Sequence, residues 1–314
     1  MAYFHPSHAH AAKRSLGVLG VGLAGVLALW WLPMPWAAGL AHYLPLHMAL
    51  ETASIVAAVL VFAVAWLTPE RSAAANARLL GCCFLGVAVL DFTHMLSYLG
   101  MPDFLTPSDP EKAIDFWIAA RLLAALGLLL AVLLPWRARP GLAPGLLLLA
   151  VGAYVGLAHA LSLPRPEWAP HTFIPGQGLT GVKIGIEIGL VLLFTASVVV
   201  LLRRMRAPCA FDAAALLGAA GLMALSELFF TMYAQVTDVY NFAGHIYKIG
   251  AHALLLRALV IDGIRRPYAA LERSRCELAH NSARLADERQ RLESILAGTR
   301  AGTWEWNVQT GETI

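Results

Sequence analysis

The sequence predicts an all-α fold: a polytopic membrane helix bundle of about eight spans, both termini cytoplasmic, extended by a cytoplasmic signalling helix or coiled coil. Three observations lead there. Of 314 residues, 59% are hydrophobic and only 14% charged, where soluble domains carry about 25% charged residues. Eight stretches approach the roughly 20 mostly apolar residues that cross a bilayer. Basic residues fall in alternate loops.

In chain order the spans fall at roughly 14–33, 46–67, 79–100, 115–136, 143–162, 180–202, 211–233 and 243–263. The first is not a cleavable signal peptide, being too long for an h-region and followed by "WWLPMPW" instead of a small-residue cleavage site. Lys13 and Arg14 precede it. Arg71 and Arg78, then Arg137 and Arg139, occupy the second–third and fourth–fifth loops. Arg203, Arg204 and Arg206 follow the sixth span, and Arg265 and Arg266 the eighth. The intervening loops are acidic, neutral or mixed, so the positive-inside rule puts both ends in the cytoplasm. With the loop composition this implies a multi-pass membrane protein. No feature suggests nucleic-acid binding. Cys82, Cys83, Cys209 and Cys276 all map to the cytoplasmic side, where disulfides are not expected and free cysteines act as small apolar fillers.

Four parts follow. Residues 1–13, with His5, His8 and His10, read as a disordered cytoplasmic leader, and 14–264 as the transmembrane bundle. At 265–294 the composition turns charged and helix-favouring. Leu271, Leu278, Leu285 and Leu292 recur every seven residues, the seam of a parallel coiled coil and hence a homodimer. The companion seam positions are polar on either phasing, so the coil is weak. Residues 295–314, with Trp304 and Trp306 before "QTGET", read as a helix running into a strand and turn, the truncated start of a further domain.

Topology gives each intramembrane polar residue a depth. His47 and Glu51, four apart, share one face of the second span's outer turns. Asp91 and His94 lie in the outer half of the third, and Trp117 and Arg121 open the fourth. His159 lies near the outer end of the fifth. Lys183 and Glu187 open the sixth, Glu227 is nearer the middle of the seventh, and His245, Lys248 and His252 occupy the outer half of the eighth. The cytoplasmic halves are almost wholly Leu, Val, Ala and Gly. A charge at the bilayer centre costs about 2.5–3.5 kcal/mol on insertion scales, so these groups must face the bundle interior and pair. Their shared depth predicts a polar chamber toward the outside.

Three readings of the chamber stay open. Interhelical pairs alone would serve the fold. His47, Glu51, His94, His159, His245 and His252 could ligate copper, zinc or iron, or two of the histidines a haem. Arg121, Lys183 and Lys248 with the carboxylates could instead clamp a small ligand from outside or from the membrane, or the histidines could sense protons. Asp91, three residues from His94 on one face, is expected to orient that imidazole. His171, in the outer loop, is expected to be solvated. Trp30, Trp31, Trp36 and Trp168 read as an interfacial belt.

The segments "LHMALETASIVAAVLVFAVAW" (46–66), "GVAVLDFTHMLSYLGMP" (86–102), "FWIAARLLAAL" (116–126) and "SELFFTMYAQVTDVYNFAGHIYKIGAHALLLRAL" (226–259) together resemble bacterial membrane-associated sensor domains of the third type. The ending "ILAGTRAGTWEWNVQTGE" similarly resembles the opening of a PAS domain. The resemblance implies a multi-helix input module upstream of PAS domains, histidine kinases or diguanylate cyclases. It marks His47, Glu51, Asp91, His94, Tyr98, Gly100, Met101, Trp117, Arg121, Glu227, Gly244, His245 and Lys248, adding Tyr98 to the ligand-facing set of Glu51, Asp91, Trp117, Arg121, Glu187, Glu227 and Lys248. His159 and Ser162 match less clearly.

The sequence therefore reads as the sensory input of a signalling protein of the diguanylate cyclase/phosphodiesterase or histidine kinase type, without a catalytic site of its own. A transporter would need a polar path to both faces, and a metal-dependent membrane enzyme would not need the attached relay.

Overall fold

The computed structural model describes residues 3–31, 39–68, 75–134, 143–166, 168–299 and 309–310. Its elements are α1 (Pro6–Trp30), α2 (Tyr43–Leu67), α3 (Ala75–Leu96), α4 (Pro110–Leu133), α5 (Pro144–Ser162), β1 (Phe173–Ile174), β2 (Gly178–Leu179), α6 (Gly181–Arg204), α7 (Ala213–Phe230), α8 (Val239–Val260), a π-helical turn (Ile261–Arg265) and α9 (Arg266–Thr299). The chain divides into two units, Met1–Ile264 and Arg265–Ile314. The all-α membrane bundle is as expected.

Helix starts follow local chemistry. Asp109, Thr180, Asp212 and Asp238 each accept a hydrogen bond from the backbone N–H three residues on, satisfying one donor that a helix N-terminus leaves free. Pro110 and Pro144 supply first-turn residues whose missing N–H costs nothing there.

Among the described residues seven helices, α1 to α7, are long and apolar enough to cross a membrane. α8 has 22 residues, about 33 Å of helix, but carries His245, Lys248, His252 and Arg257. The expected eighth span is thus a helix in the structure but falls outside those seven, its polar residues lowering its hydropathy. All but Arg257 of those four are buried.

In the first unit, α2 packs on α3, α3 on α4, α4 on α6, α6 on α7, α7 on α8 and α8 back on α2, a closed ring of six helices. α1 lies outside the ring on α7, and α5 outside it on α3 and α4. α7 is buried along nearly its whole length, and its run of Ala and Gly lets neighbours come close. At Gly244 a Cβ would stand 2.5 Å from the Phe230 ring, so only glycine permits the α7–α8 approach seen there.

Contacts at one end of the ring join the start of α1, the ends of α4 and α6, and the start of α7. His5 N–H donates to Met205 O, His8 Nε2 accepts from Cys209 N–H, and Arg204 donates to Leu133 O and Leu134 O. These anchors correct the expected disordered leader. From Pro6 it is the first turns of α1, with His8 and Ala12 buried. Trp30, Trp31 and Trp168 are exposed, whereas Trp36, Arg71, Arg137 and Arg139 lie outside the described residues.

In the second unit, α9 is a 34-residue helix, longer than the expected 265–294. Arg284–Glu288 and Arg289–Glu293 pair at one-turn spacing, while Leu271, Leu278, Leu285 and Leu292 are 52–71% exposed. The PAS-like stretch falls mostly outside the described residues.

Candidate functional site

The half of the ring away from the arginine-bearing end holds the polar residues singled out from the sequence. Helical spacing places His47 and Glu51 on one inward face of α2, Asp91 on α3, Trp117 and Arg121 on α4, Lys183 and Glu187 on α6, Glu227 on α7, and His245 and Lys248 on α8. All are at most 3% exposed. The opposite half is lined by Ala, Leu, Val and Phe side chains such as Ala58, Leu80, Phe84, Leu128 and Phe194.

Two ion pairs join neighbouring helices of the ring, α2 to α8 and α3 to α4. Both oxygens of Glu51 lie 2.7 Å from Lys248 Nζ, and both oxygens of Asp91 lie 2.7 Å from one Arg121 nitrogen. Lys248 also stands 3.5 Å from Asp91 Oδ2, which joins the pairs into a quartet from α2, α3, α4 and α8. Two carboxylates face two cations, so the buried charge balances. The Trp117 ring lies beside both cations, its centroid 4.7 Å from the Arg121 guanidinium carbon and 4.7 Å from Lys248 Nζ. Beside the quartet Lys183 pairs with Glu187, one helical turn on, and lies 3.4 Å from Phe230 O, while Glu227 reaches Glu187 from α7.

The histidines sort by what their nitrogens touch. His94 Nδ1–H donates to Ala113 O at 2.7 Å, which leaves Nε2 as a buried acceptor without a partner among the described residues. This corrects the expected Asp91–His94 relation, because Asp91 is taken by Arg121 and Lys248 and a backbone carbonyl orients the imidazole. Neither nitrogen of His47 has a hydrogen-bond partner among the described residues, and its ring stacks on Tyr98 at 3.9 Å. His245 Nδ1 lies 2.9 Å from Glu51 Oε1 without hydrogen-bond alignment, and His47 Nε2 lies 4.0 Å from the same oxygen. Ligand atoms of His47, Glu51 and His245 all fall within 4.8 Å of one another.

Two expected ligands do not join them. α5 lies outside the ring, so His159 faces α3. Its Nδ1 bonds Val155 O and its Nε2 lies 2.9 Å from the Thr93 hydroxyl, which leaves no nitrogen for a ligand. His252, about two turns below His245, bonds Ser54 O at 3.2 Å and packs edge-on to Phe84 at the apolar half. His171 is exposed as expected, with Nδ1 3.2 Å from Glu111.

A cavity next to the cluster is lined by His94, Tyr98, Trp117, Lys183, Asn241 and His245 among others, with ≈ 20 Å³ open to the centre of a water molecule. That is room for about one ordered water. Tyr98, which lines it, and Tyr43 beside Tyr98 fasten the turn at that end of the ring. The Tyr98 hydroxyl donates to Val236 O in the α7–α8 turn, and the Tyr43 hydroxyl donates to Asn241 at 2.7 Å. Asp238 holds the same turn through the N–H groups of Ala234 and Asn241. Burial pushes its carboxyl above the usual range, against the pull of those donors.

Sequence reasoning missed Tyr43, Asn241, Asp238 and the clasp in which Glu111 and Asp115 pair with Arg165. The Asp-x-x-Asn spacing of a helix cap at 238–241 was the available signal. For the clasp there was none, because it joins α4 to a loop about 50 residues on.

In comparison with known proteins, the family model MASE3, described as a membrane-associated sensor domain, matches residues 38–267. Neither a curated protein nor a solved structure matches.

Proposed function

We propose a function from the premise that the chain belongs to the MASE3 family of membrane-associated sensor domains: its six-helix ring is the sensory input of a bacterial inner-membrane signalling protein. The chamber of His47, Glu51, Asp91, His94, Tyr98, Trp117, Arg121, Glu187, Glu227, His245 and Lys248 binds a metal ion or small ligand that arrives from outside or from the membrane. Both termini are cytoplasmic. Occupancy changes the packing of α8, and α9 passes the change to a PAS domain and an output of the diguanylate cyclase, phosphodiesterase or histidine kinase type.

The observation that carries this reading is the place of the buried charge. Ion pairs for the fold alone could sit at any depth, yet these share one half of the ring with unpartnered imidazole nitrogens and a cavity. Two of the residues, His245 and Lys248, stand on the helix that precedes α9. The leucine seam of α9, exposed in a single chain, supports a homodimer as the receiving device. A ligand shifts the output only by its differential affinity for the two packings. The cavity's size favours an ion or a few-atom ligand over haem, since drug-sized ligands occupy about 300–1,000 Å³.

The test is output of the full-length signalling protein in cells carrying Glu51→Gln, Asp91→Asn or His94→Ala, with Ser197→Ala in the apolar half as control. Changed output for the first three and unchanged output for the control supports the reading. Equal effects at both depths sink it.

A further inference from the structure

We infer that His47, Glu51 and His245 form a binding site for a divalent first-row transition ion of the zinc or iron(II) class, and that the ion enters by exchanging with the Lys248 ammonium at Glu51. The inference rests on the sensory reading only for its consequence, not for the binding itself.

The donor set comes first. Two imidazoles and a carboxylate, with no thiol among the three, suit a borderline divalent ion. Ligands 2.0–2.1 Å from a tetrahedral ion lie about 3.3 Å apart, and the separations here run from 2.9 Å and 4.0 Å up to 4.8 Å. Small rotations would bring all three onto one centre. Unsatisfied groups come second. Both His47 nitrogens are buried without a hydrogen-bond partner among the described residues, an arrangement that a fold built only on ion pairs has no reason to keep, and His245 Nδ1 already stands 2.9 Å from the Glu51 carboxylate.

Lys248 supplies the exchange. Its ammonium occupies both Glu51 oxygens, so an ion that takes Glu51 must displace it, and because Lys248 stays in the site the ion's two added positive charges hold the affinity down. Asp91 Oδ2, already 3.5 Å from Nζ, is the acceptor to which Lys248 can turn when the ion takes Glu51. His245 and Lys248 sit three residues apart on α8. The exchange therefore draws one side chain of that helix toward α2 and sends the other toward α3.

The experiment titrates the purified full chain in nanodiscs with Co²⁺, read by its ligand-field absorption, and with Zn²⁺ in competition. One ion per chain is expected. His245→Ala and His47→Ala should each weaken binding at least about tenfold, since each removes one of three ligands. His159→Ala and His252→Ala should leave it within about twofold. Lys248→Met should bind at least about tenfold more tightly, because a competing buried cation is gone, and Zn²⁺ should raise its melting temperature. Lys248→Gln provides a second variant. A monodisperse, cooperatively melting wild type that takes up no stoichiometric Co²⁺ or Zn²⁺ overturns the site, as does undiminished binding in both histidine variants. Binding unchanged or weakened in folded Lys248→Met and Lys248→Gln overturns the exchange. If no metal binds while Glu51→Gln still alters output, the sensory reading stands and the ion site falls. If the ion binds but output ignores every chamber variant, the site stands and the sensory reading falls.

Discussion

Glu51 on α2 and Lys248 on α8 meet through two 2.7 Å contacts at a point where neither is exposed to solvent. They tie the helix that opens the ring to the one that closes it. Removing one partner leaves the other buried and uncompensated, so Lys248→Met is expected to lower stability by about 3–5 kcal/mol. Glu51→Met combined with Lys248→Met should recover most of that loss. A double-mutant cycle of detergent-solubilised protein, unfolded thermally without added metal, checks the loss and its recovery.

Arg121 is held at both ends, by the Asp91 carboxylate and by the face of Trp117. A lysine keeps the charge but not the planar fork that stacks on the indole. Arg121→Lys should therefore cost about 1–2 kcal/mol, close to what a desolvated cation–π contact supplies. If Arg121→Lys matches wild type in the same melting assay, the stacking contributes nothing.

Tyr98 combines two contacts that a single deletion separates. Tyr98→Phe keeps the stack on His47 and loses the hydrogen bond to Val236 O. The expected loss is about 1 kcal/mol. It should appear as faster amide exchange at residues 234–238, with no change in the apolar half of α2. Uniform acceleration across the bundle would contradict a local role.

Gly244 has no room for a side chain because the Phe230 ring occupies it. Gly244→Ala should cost about 1–3 kcal/mol through overpacking, and Phe230→Leu should restore part of that. Failure of the second change to rescue the first, measured by melting temperature, would place the strain elsewhere.

The exposed leucines of α9 predict self-association of the chain. Leu278→Asp together with Leu285→Asp should abolish dimers in sedimentation at micromolar concentration, with the first unit still folded. A wild type that sediments as a monomer would remove the coiled coil.

Much of this was legible before the fold. Long apolar runs marked the helices, and spacing four put His47 with Glu51 and Lys183 with Glu187 on single faces, because both signals are local to one helix. Partners across helices were not legible. Asp91 was expected beside His94, its neighbour one turn on, but the salt bridge to Arg121 is the stronger claim on a buried carboxylate. The leader was expected to be disordered from its polar composition. Its order comes from contacts with Met205 and Cys209, some 200 residues away.

The sequence by itself determined that the chain is a membrane bundle, which side chains must hide from lipid, and the depth band they share. Hydropathy and helical period settle those, one span at a time. Only the tertiary structure decided which of them meet. Ring closure between α2 and α8 brings Glu51 to Lys248, and the place of α5 outside the ring takes His159 away. Ring order and helix rotation come from side-chain packing between helices, where one glycine or one phenylalanine sets the approach, and no local periodicity records that.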